Sequence, residues 1–308
     1  MGERRRAVDD RVATSLRPTN PVRFPRRKDG LEYATRSMIW APRGESIWRA
    51  WGPPENPWPL GVAVRGTRWR VEAEGVDRAT AREAARQLFS LEHDLPSFYR
   101  QVRNEPVLRG CERRFRGLRL PRDPTLYDAL LNAVIGQQLS VSAANSLRAR
   151  LLEATDAFLQ FEGMRLPHAP SPRSLNRLGV DGMRRVGLSR AKSAALLHLA
   201  KGQAEGRFSS LEFRDLSSEA AIERLDVEPG IGRWTAENAL LRGVGRTDLF
   251  VAGDLGLRVA LAEYGVLPRH APEEAARAWA EEHYPGWGSY ATVYLWKKLV
   301  TETREGVG

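Results

Sequence analysis

The sequence predicts a mainly α-helical protein that carries a smaller α+β lobe towards its N-terminus. Short runs of strand-like composition are confined to residues 31–74, whereas from Cys111 onward apolar residues recur at three- and four-residue spacing, as one buried helix face requires. The chain has 308 residues and 42% of them are apolar, which is enough for a sizeable core in one large domain or two ordinary ones. We divide it into an arm (1–24), the α+β lobe (25–108) and a helical domain (109–308).

The arm combines the triplet Arg4, Arg5 and Arg6 with two prolines and few apolar residues. Such a composition cannot bury enough surface to order the chain, so we predict a flexible basic arm. Contact with a polyanion is the alternative role for it.

The lobe is predicted as short strands followed by a helix. Strand-like runs cover residues 31–40, 46–51, 60–64 and 68–74, and glycines between them supply turns. Thr80 and Glu83 have the spacing of a capping box, which predicts a helical stretch continuing to Val102. We interpret the lobe's tryptophans as core and turn packing: Trp40, Trp48, Trp51, Trp58 and Trp69.

The helical domain shows a series of start and stop signals. Asp123 and Pro124 predict a helix that ends at Gly136, and Ser140 is the expected cap of the next one. Residues 168–172 are a Pro-rich linker, after which helices resume at 174 and again at 194. Arg190 and Lys192 precede this last helix, where they either grip a phosphate or are solvated charges.

A Pro-Gly-Ile-Gly turn between two helices stands out at residues 229–232. Ser217 or Ser218 caps the first helix, Pro229 stops it, and Arg242 with Gly243 ends the second. Gly230 and Gly232 allow a close approach to the free N–H groups of the following helix, which is the arrangement of an anion site. The alternative is an ordinary turn whose glycines serve geometry alone.

A carboxylate follows an apolar run after this helical hairpin. The apolar run Leu249, Phe250 and Val251 leads into Gly253 and Asp254. An acid directly after a buried run and beside a glycine is expected at the mouth of a core, where a carboxylate can do chemistry.

Together, the run PGIGRWTA and the Asp twenty positions after its Trp resemble the helix-hairpin-helix (HhH-GPD) DNA glycosylases. The likeness extends from about residue 31 to 298 and is to the bacterial 3-methyladenine DNA glycosylase II branch. It implies a helix-hairpin-helix over about 217–242, a catalytic segment over 249–258 and an antiparallel sheet in the N-terminal lobe.

The resemblance also implies roles for individual residues. Asp254 is the catalytic carboxylate, and the base pocket is formed by Trp234, Trp287, Asn238 and Tyr290. DNA contacts fall on the hairpin, on a segment that wedges into the duplex and on a helix start: Gly230, Ile231, Gly232, Arg233, Thr235, Gln138, Ser140, Arg190 and Lys192. By this match Gln138 is the wedge, although by spacing alone it is an exposed loop residue.

The implied reaction is hydrolysis of an N-glycosidic bond after the damaged nucleotide is flipped out of double-stranded DNA. A carboxylate near the sugar stabilises oxocarbenium character, and tryptophan faces favour a cationic alkylated purine. Where bifunctional relatives place a Schiff-base lysine this chain has Trp234, and no lysine lies between 203 and 294, so we expect a monofunctional enzyme of base excision repair. Asn238 departs from the aromatic residue frequent in this branch, which leaves the preferred lesion open.

Composition limits the partners and cofactors. A net charge of +10 fits a polyanion, although the arginine bias can also reflect a GC-rich genome. The single Cys111 excludes disulfides and a four-cysteine iron-sulfur loop, and the five histidines lack metal-ligand spacing. With no membrane-spanning run or signal peptide, we expect a cytoplasmic, nucleoid-associated monomer without a cofactor. The resemblance suggests only that hairpin carbonyls can hold a monovalent cation.

Three alternatives remain at this point. The enzyme can act on another lesion, such as hypoxanthine or an ethenoadduct. It can also be a non-catalytic helix-hairpin-helix protein that senses distorted duplex. RNA association fits the basic composition, but the sequence lacks an aromatic-rich RNA motif.

Overall fold

A computed structural model describes residues 11–18, 41–65 and 67–305. The predicted strand at 31–40, Trp40, the turn at Gly66 and the arginine triplet of the arm lie outside the described residues. Within the described ranges no helix is both long and apolar enough to cross a membrane.

The lobe is built on a five-stranded antiparallel sheet with the order β1-β5-β4-β3-β2. Its strands are β1 (Arg11–Leu16), β2 (Ala41–Arg43), β3 (Ser46–Trp51), β4 (Trp58–Arg65) and β5 (Arg68–Glu74). The predicted strands at 46–51, 60–64 and 68–74 are therefore confirmed. Trp48, Trp51 and Trp69 are buried in the cores, as predicted, and Trp58 packs against the sheet core.

Strand β1 corrects the predicted arm, because residues 11–16 pair along their whole length with β5. Val12, Thr14 and Leu16 alternate inward, and Leu16 is buried. The guanidinium of Arg11 lies 2.5 Å from the Glu72 carboxylate and pairs with this buried charged residue of β5. A period-two pattern this short and this polar is easily mistaken for an unstructured arm.

The helical stretch predicted over 80–102 is two helices, α1 (Arg78–Leu88) and α2 (Leu95–Val102). Asp77 caps α1 by accepting the Thr80 N–H, so the capping box predicted at Thr80 and Glu83 is wrong by three residues. Helix α1 packs on the sheet, whereas α2 belongs to a second core with the C-terminal helices. The two cores therefore separate between α1 and α2, whereas the domain boundary at residue 108 stays a prediction.

The rest of the chain is helical except for one hairpin. The elements in order are α3 (Cys111–Arg114), α4 (Leu126–Gly136), α5 (Val141–Thr155), β6 (Phe158–Phe161), β7 (Met164–Pro167), α6 (Pro172–Val186), α7 (Arg190–Ala204), α8 (Ser210–Asp215), α9 (Ser218–Asp226), α10 (Arg233–Ala239), a π-helical turn (Leu240–Val244), α11 (Leu255–Glu263), α12 (Glu273–His283) and α13 (Gly288–Glu305).

Helix starts follow side-chain caps more closely than the prolines and basic residues suggested. Thr125 caps α4, so the start predicted at Asp123 and Pro124 is wrong. Ser171 and Ser189 cap α6 and α7, which begin earlier than predicted. The predicted caps of α5 and α9, Ser140 and Ser217, are confirmed.

The hairpin β6–β7 was not predicted. Phe161 and Leu166 pack against Trp48 and Ala50 of β3 and so join the helical domain to the sheet. Two four-residue strands carry too little periodicity to be recognised within a helical sequence.

Helix α10 lies between the two large apolar cores. Ala236 and Ala239 belong to the core of helices α4 to α9, whereas Trp234 contacts the core formed with the C-terminal helices. In the π-helical turn that follows, Leu240 belongs to the first core and Leu241 to the second. The helix continues into the π-helical turn instead of ending at Arg242 and Gly243 as predicted. Gly243 is needed for close packing, since a Cβ there would lie 2.6 Å from the Leu126 Cα.

A cavity of about 60 Å³, lined by apolar and some charged side chains, lies between β3, α4 and α5. Asp128 on its wall is buried and bonded to the Thr125 hydroxyl. Burial raises the pKa of Asp128 to about 7, against the lowering effect of the Thr125 hydrogen bond and of Arg49.

Candidate active site

The turn between α9 and α10 has the open backbone that the sequence predicted. Gly230 has φ +83°, and a Cβ there would lie 2.7 Å from the Ala195 Cβ of α7, so conformation and packing both require glycine. Gly232 caps α10 without any side-chain hydrogen bond, and both glycines are exposed. Ile231 is different, because its side chain is buried and its N–H donates to the Glu228 carbonyl, so neither group is free for the predicted DNA contact.

Glu228 anchors the start of this turn. Its buried carboxylate accepts hydrogen bonds from His198 of α7, at 2.5 Å, and from Arg207. These bonds hold the pKa of Glu228 below its usual range although burial acts in the opposite direction. These bonds fix the main chain just before Gly230 and Gly232.

Gln137 connects the turn to the loop between α4 and α5. Its Nε2 donates to the Gly230 carbonyl and to the Thr235 hydroxyl, both at 2.9 Å. The Thr235 side chain is therefore a buried support of the hairpin, and the DNA contact at this residue stays a prediction. The sequence did not lead us to predict this role for Gln137. The feature that could have indicated it is the pair of consecutive glutamines, Gln137 and Gln138.

Lys192 also has a different role from the predicted phosphate contact. Its amine donates to the Ile135 and Gln137 carbonyls at 2.9 and 2.7 Å, so it closes the C-terminal end of α4. Burial lowers the pKa of this amine. Arg190, by contrast, is exposed at the start of α7 and is still a predicted DNA contact.

The loop held by Lys192 projects residues towards solvent. Gln138 is exposed in the left-handed region at φ +55°, which suits the predicted wedge. Ser140 uses its hydroxyl to accept the Ala143 N–H, as a helix cap does. Leu139 is 39% exposed and is a second candidate for contact with a base step that the sequence reasoning had missed.

Asp254 lies at the start of α11, where Oδ1 accepts the Leu257 N–H at 3.0 Å and the Trp296 Nε1–H at 3.1 Å. The residue is partly exposed and follows the buried run ending at Ala252, as predicted. Among the described residues no donor reaches Oδ2. Trp296 therefore helps to hold the Asp254 side chain in place. The sequence did not predict this role, because the spacing of Trp296 in α13 indicates only a core residue.

The start of α13 is locked to the segment before Asp254. The Ser289 and Thr292 hydroxyls accept the Leu249 and Val251 N–H groups, each at 3.2 Å. A Cβ on Gly288 would lie 2.8 Å from the nitrogen of Phe250, so this approach requires glycine. Trp287, directly before this helix, is thereby fixed relative to Asp254.

Trp234 and Trp287 lie against the same apolar core and are both partly exposed. The Trp287 ring contacts Phe98 and Tyr290 at centroid distances of 5.9 and 5.4 Å. The two indoles that the sequence predicted as pocket walls thus pack against one apolar core, and each keeps exposed surface.

Tyr290 lies behind this surface and not on it. It is fully buried, and its hydroxyl is 3.0 Å from the Nδ1 of His93. Burial, with Arg122 and Arg119 nearby, lowers the pKa of His93 to about 3, so the imidazole is neutral near pH 7. We therefore correct Tyr290 from a pocket residue to a support of Trp287.

Asn238 follows Trp234 by one helical turn and is 7% exposed. Its Nδ2 donates to the Trp234 carbonyl at 3.1 Å. Among the described residues no donor reaches its Oδ1, so an amide acceptor is available beside the indole.

Arg233 is occupied by carboxylates, against the prediction of a phosphate contact. It forms a two-bond pair with Glu219, at 2.7 and 2.8 Å, and its Nε donates to Glu237 at 3.2 Å. The Glu219 hydrogen bond raises the pKa of Arg233 still further. Any phosphate must compete with these two acids.

The described residues contain no group of three or more His, Cys, Asp or Glu side chains placed to hold a metal ion. The monovalent cation suggested for the hairpin stays a prediction, because its ligands would be backbone carbonyls and not these side chains.

Comparison with known proteins adds independent findings. The family model described as "HhH-GPD superfamily base excision DNA repair protein" matches residues 131–285, which include the hairpin and Asp254. The chain is 29% identical over 215 residues to the DNA-3-methyladenine glycosylase of Bacillus subtilis (strain 168), covering 68% of this chain and 69% of that protein. It is 31% identical over 184 residues to DNA-3-methyladenine glycosylase 2 of Escherichia coli (strain K12), covering 58% and 60% respectively.

Among solved structures, the 3-methyladenine DNA-glycosylase from Archaeoglobus fulgidus superposes with a TM-score of 0.78 at 22% identity. The superposition covers 93% of this chain and 98% of that one. At this identity the likeness shows a shared fold.

Proposed function

Since the chain belongs to the HhH-GPD superfamily of base excision DNA repair proteins, in its 3-methyladenine DNA glycosylase branch, we propose that it excises alkylated purines from duplex DNA. The substrates would be of the 3-methyladenine and 7-methylguanine type. We also propose that the protein acts as a monomer and without a resident cofactor.

The observation that carries this proposal is the placement of Asp254. Cleavage of an N-glycosidic bond builds positive charge on the deoxyribose, and a fixed carboxylate nearby stabilises that charge without reorganising. Both donors, Leu257 and Trp296, bind Oδ1, so Oδ2 is available to face the sugar or to orient a water. A carboxylate held in this way suits either role.

The partly exposed indoles of Trp234 and Trp287 support a preference for alkylated bases. A purine alkylated at a ring nitrogen carries positive charge, and an aromatic face attracts a cation by about 0.5 to 2 kcal/mol. The same charge makes the base a good leaving group, so the site needs little acid assistance. This agrees with Tyr290 and His93 lying buried behind Trp287.

Two features support DNA contact beside the lesion. The exposed Gly230 and Gly232 leave room for a phosphate at the start of α10, and the loop of Gln138 and Leu139 projects side chains able to enter a base step. Gln137 bridges these two elements, so hairpin and wedge should engage the duplex together. Phosphate contacts read no sequence, and binding should therefore weaken strongly with salt.

We further propose that the enzyme is monofunctional. Trp234 occupies the position in which bifunctional relatives place a Schiff-base lysine. The Lys192 and Lys298 amines donate to backbone carbonyls, at distances of 2.7 to 2.9 Å, and are held by them. A hydrolytic reaction that leaves an abasic site follows from this arrangement.

Asn238 favours a second candidate within the same chemistry, a broader range that includes hypoxanthine. Its free Oδ1 can accept a hydrogen bond from a neutral base, which an aromatic side chain in its place cannot. A panel of duplexes containing single lesions separates the two candidates.

The test is base release from a methylated duplex by the purified protein and by Asp254→Asn. The matched control is Asp77→Asn, because Asp77 caps α1 as Asp254 caps α11. We expect methylpurine release by the wild type and by Asp77→Asn, with Asp254→Asn slower by at least about a hundredfold. Strand breaks should appear only after alkali.

Other outcomes contradict parts of the proposal. Equal rates for Asp254→Asn and the wild type would remove the carboxylate from the mechanism. A borohydride-trapped adduct with DNA would show a Schiff base and refute the monofunctional assignment. Binding without release of any base from the panel would favour a damaged-DNA sensor.

A further inference from the structure

Four alternating charges connect the hairpin to the segment that carries Asp254. Glu219 on α9 pairs with Arg233, Arg233 reaches Glu237 on α10, and Glu237 accepts a hydrogen bond from Arg277 on α12. The same Nη1 of Arg277 donates to the Phe250 carbonyl at 3.3 Å. We call Glu237 and Arg277 the inner pair.

The inner pair is not explained by stability. Glu237 is 0% exposed, and its Oε2 has no hydrogen-bond partner. The Arg277 side chain is 20% exposed, so this is a largely buried ion pair. The desolvation of such a pair costs about as much as its attraction returns, and a buried polar atom without a partner adds to the cost. An apolar pair of similar volume would serve the core equally well or better.

The position of the inner pair indicates a different role. Trp234 and Glu237 lie one helical turn apart on α10, and Phe250 precedes Asp254 by four residues. Arg277 therefore ties the main chain before the carboxylate to the helix that carries a wall of the base pocket. The ties from Ser289 and Thr292 connect this segment to α13 but not to α10.

We propose that Glu237 and Arg277 are positioning residues that hold the Asp254 segment in register with Trp234, so that their loss slows bond cleavage while DNA binding is retained. This inference rests on the proposed function, because the bond cleavage that it concerns is the release of the alkylated base. A displacement of about 1 Å between a reacting group and its substrate can slow a reaction about a hundredfold. The inner pair links α10, which carries Trp234, to the segment before Asp254.

The test compares the wild type with the double variant Glu237→Leu/Arg277→Met, which removes both charges together and leaves neither one buried alone. The control double variant, Glu153→Leu/Arg165→Met, removes an ion pair on the surface of the helical domain. For each protein we would measure Tm, the Kd for a duplex with an abasic-site analogue, and the single-turnover rate of methylpurine release. We expect the inner-pair variant to keep its Tm and Kd and to lose about 10- to 100-fold in rate.

Two single variants extend the test if the double variant does not fold. Glu237→Gln keeps the side-chain shape and should lower the rate about 3- to 10-fold at unchanged Kd. Arg277→Lys keeps a cation and one nitrogen able to bridge Glu237 and Phe250, so it should recover most of the wild-type rate. A purely structural pair predicts a change in Tm with the rate retained.

The outcomes separate the two proposals. A wild-type rate in the folded double variant, or in Glu237→Gln, would overturn the positioning role and leave the glycosylase assignment intact. A parallel loss of Tm and Kd with the rate would also overturn it, since the pair would then support the whole site. A wild type that releases no base refutes the proposed function itself, and the positioning role falls with it.

Discussion

Replacing Asp128 by asparagine should change how the stability of the protein depends on pH. Asp128 is 6% exposed at the start of α4, beside the cavity between β3, α4 and α5. The substitution keeps the shape of the side chain and its ability to accept the Thr125 hydrogen bond, but it removes the ionisation.

The magnitude follows from the difference between a pKa of about 7 in the folded protein and the ordinary value of 3.8. Because the folded state holds the proton more tightly, this contribution to stability is fully present below the ordinary value and is lost as the pH rises through about 7. Each pH unit of difference corresponds to about 1.4 kcal/mol, which gives a total of roughly 4 kcal/mol and roughly 2 to 3 kcal/mol between about pH 5 and pH 8.

Urea unfolding of the wild type and Asp128→Asn at about pH 5, 6, 7 and 8 measures this directly. The unfolding free energy of Asp128→Asn minus that of the wild type should rise by roughly 2 to 3 kcal/mol across that range. Asp77→Asn is the control, because the pKa of this exposed cap lies below its ordinary value and does not titrate in this window. A difference constant to within about 0.5 kcal/mol would refute a raised pKa for Asp128 in the folded protein.

Three further substitutions test the site. Trp296→Phe removes one donor to the Asp254 carboxylate and keeps the aromatic ring, so the single-turnover rate should fall about 3- to 30-fold at unchanged Kd for DNA; an unchanged rate would exclude this positioning role. Gly288→Ala places a Cβ 2.8 Å from the nitrogen of Phe250, so we expect a loss of base release of at least about tenfold together with a lower Tm, and wild-type values of both would contradict the packing. Asn238→Leu removes the free amide acceptor, so in competition assays the ratio of hypoxanthine to 3-methyladenine release should fall about tenfold, whereas a constant ratio would show that the amide does not select the base.

The elements that the sequence predicted well are those in which local chemistry and global packing agree. Ser140 and Ser217 cap their helices because a serine before an apolar-periodic run has one dominant use. Asp254 could be located because a carboxylate between a buried run and a helix start is rare in a core. The hairpin glycines follow the same logic, since Gly230 adopts a conformation that other residues resist.

The predictions that failed depend on partners far away in the sequence. Arg233 reads as an exposed cation, and only the fold brings Glu219 and the buried Glu237 to it. Lys192 likewise looks like a free amine in the sequence, and only the fold places the C-terminal end of α4 beside it. Tyr290 stands three residues after Trp287, and sequence spacing alone does not separate a pocket wall from the layer behind it.

Strand β1 bears on how the chain can be shortened. Removal of the first 24 residues, which their composition invites, would delete the strand that pairs with β5 over residues 69–74. The N–H and C=O groups of β5 on that side would then be open to strands of other molecules, and an uncovered sheet edge is a common starting point for aggregation. A soluble shortened form should therefore begin before Arg11.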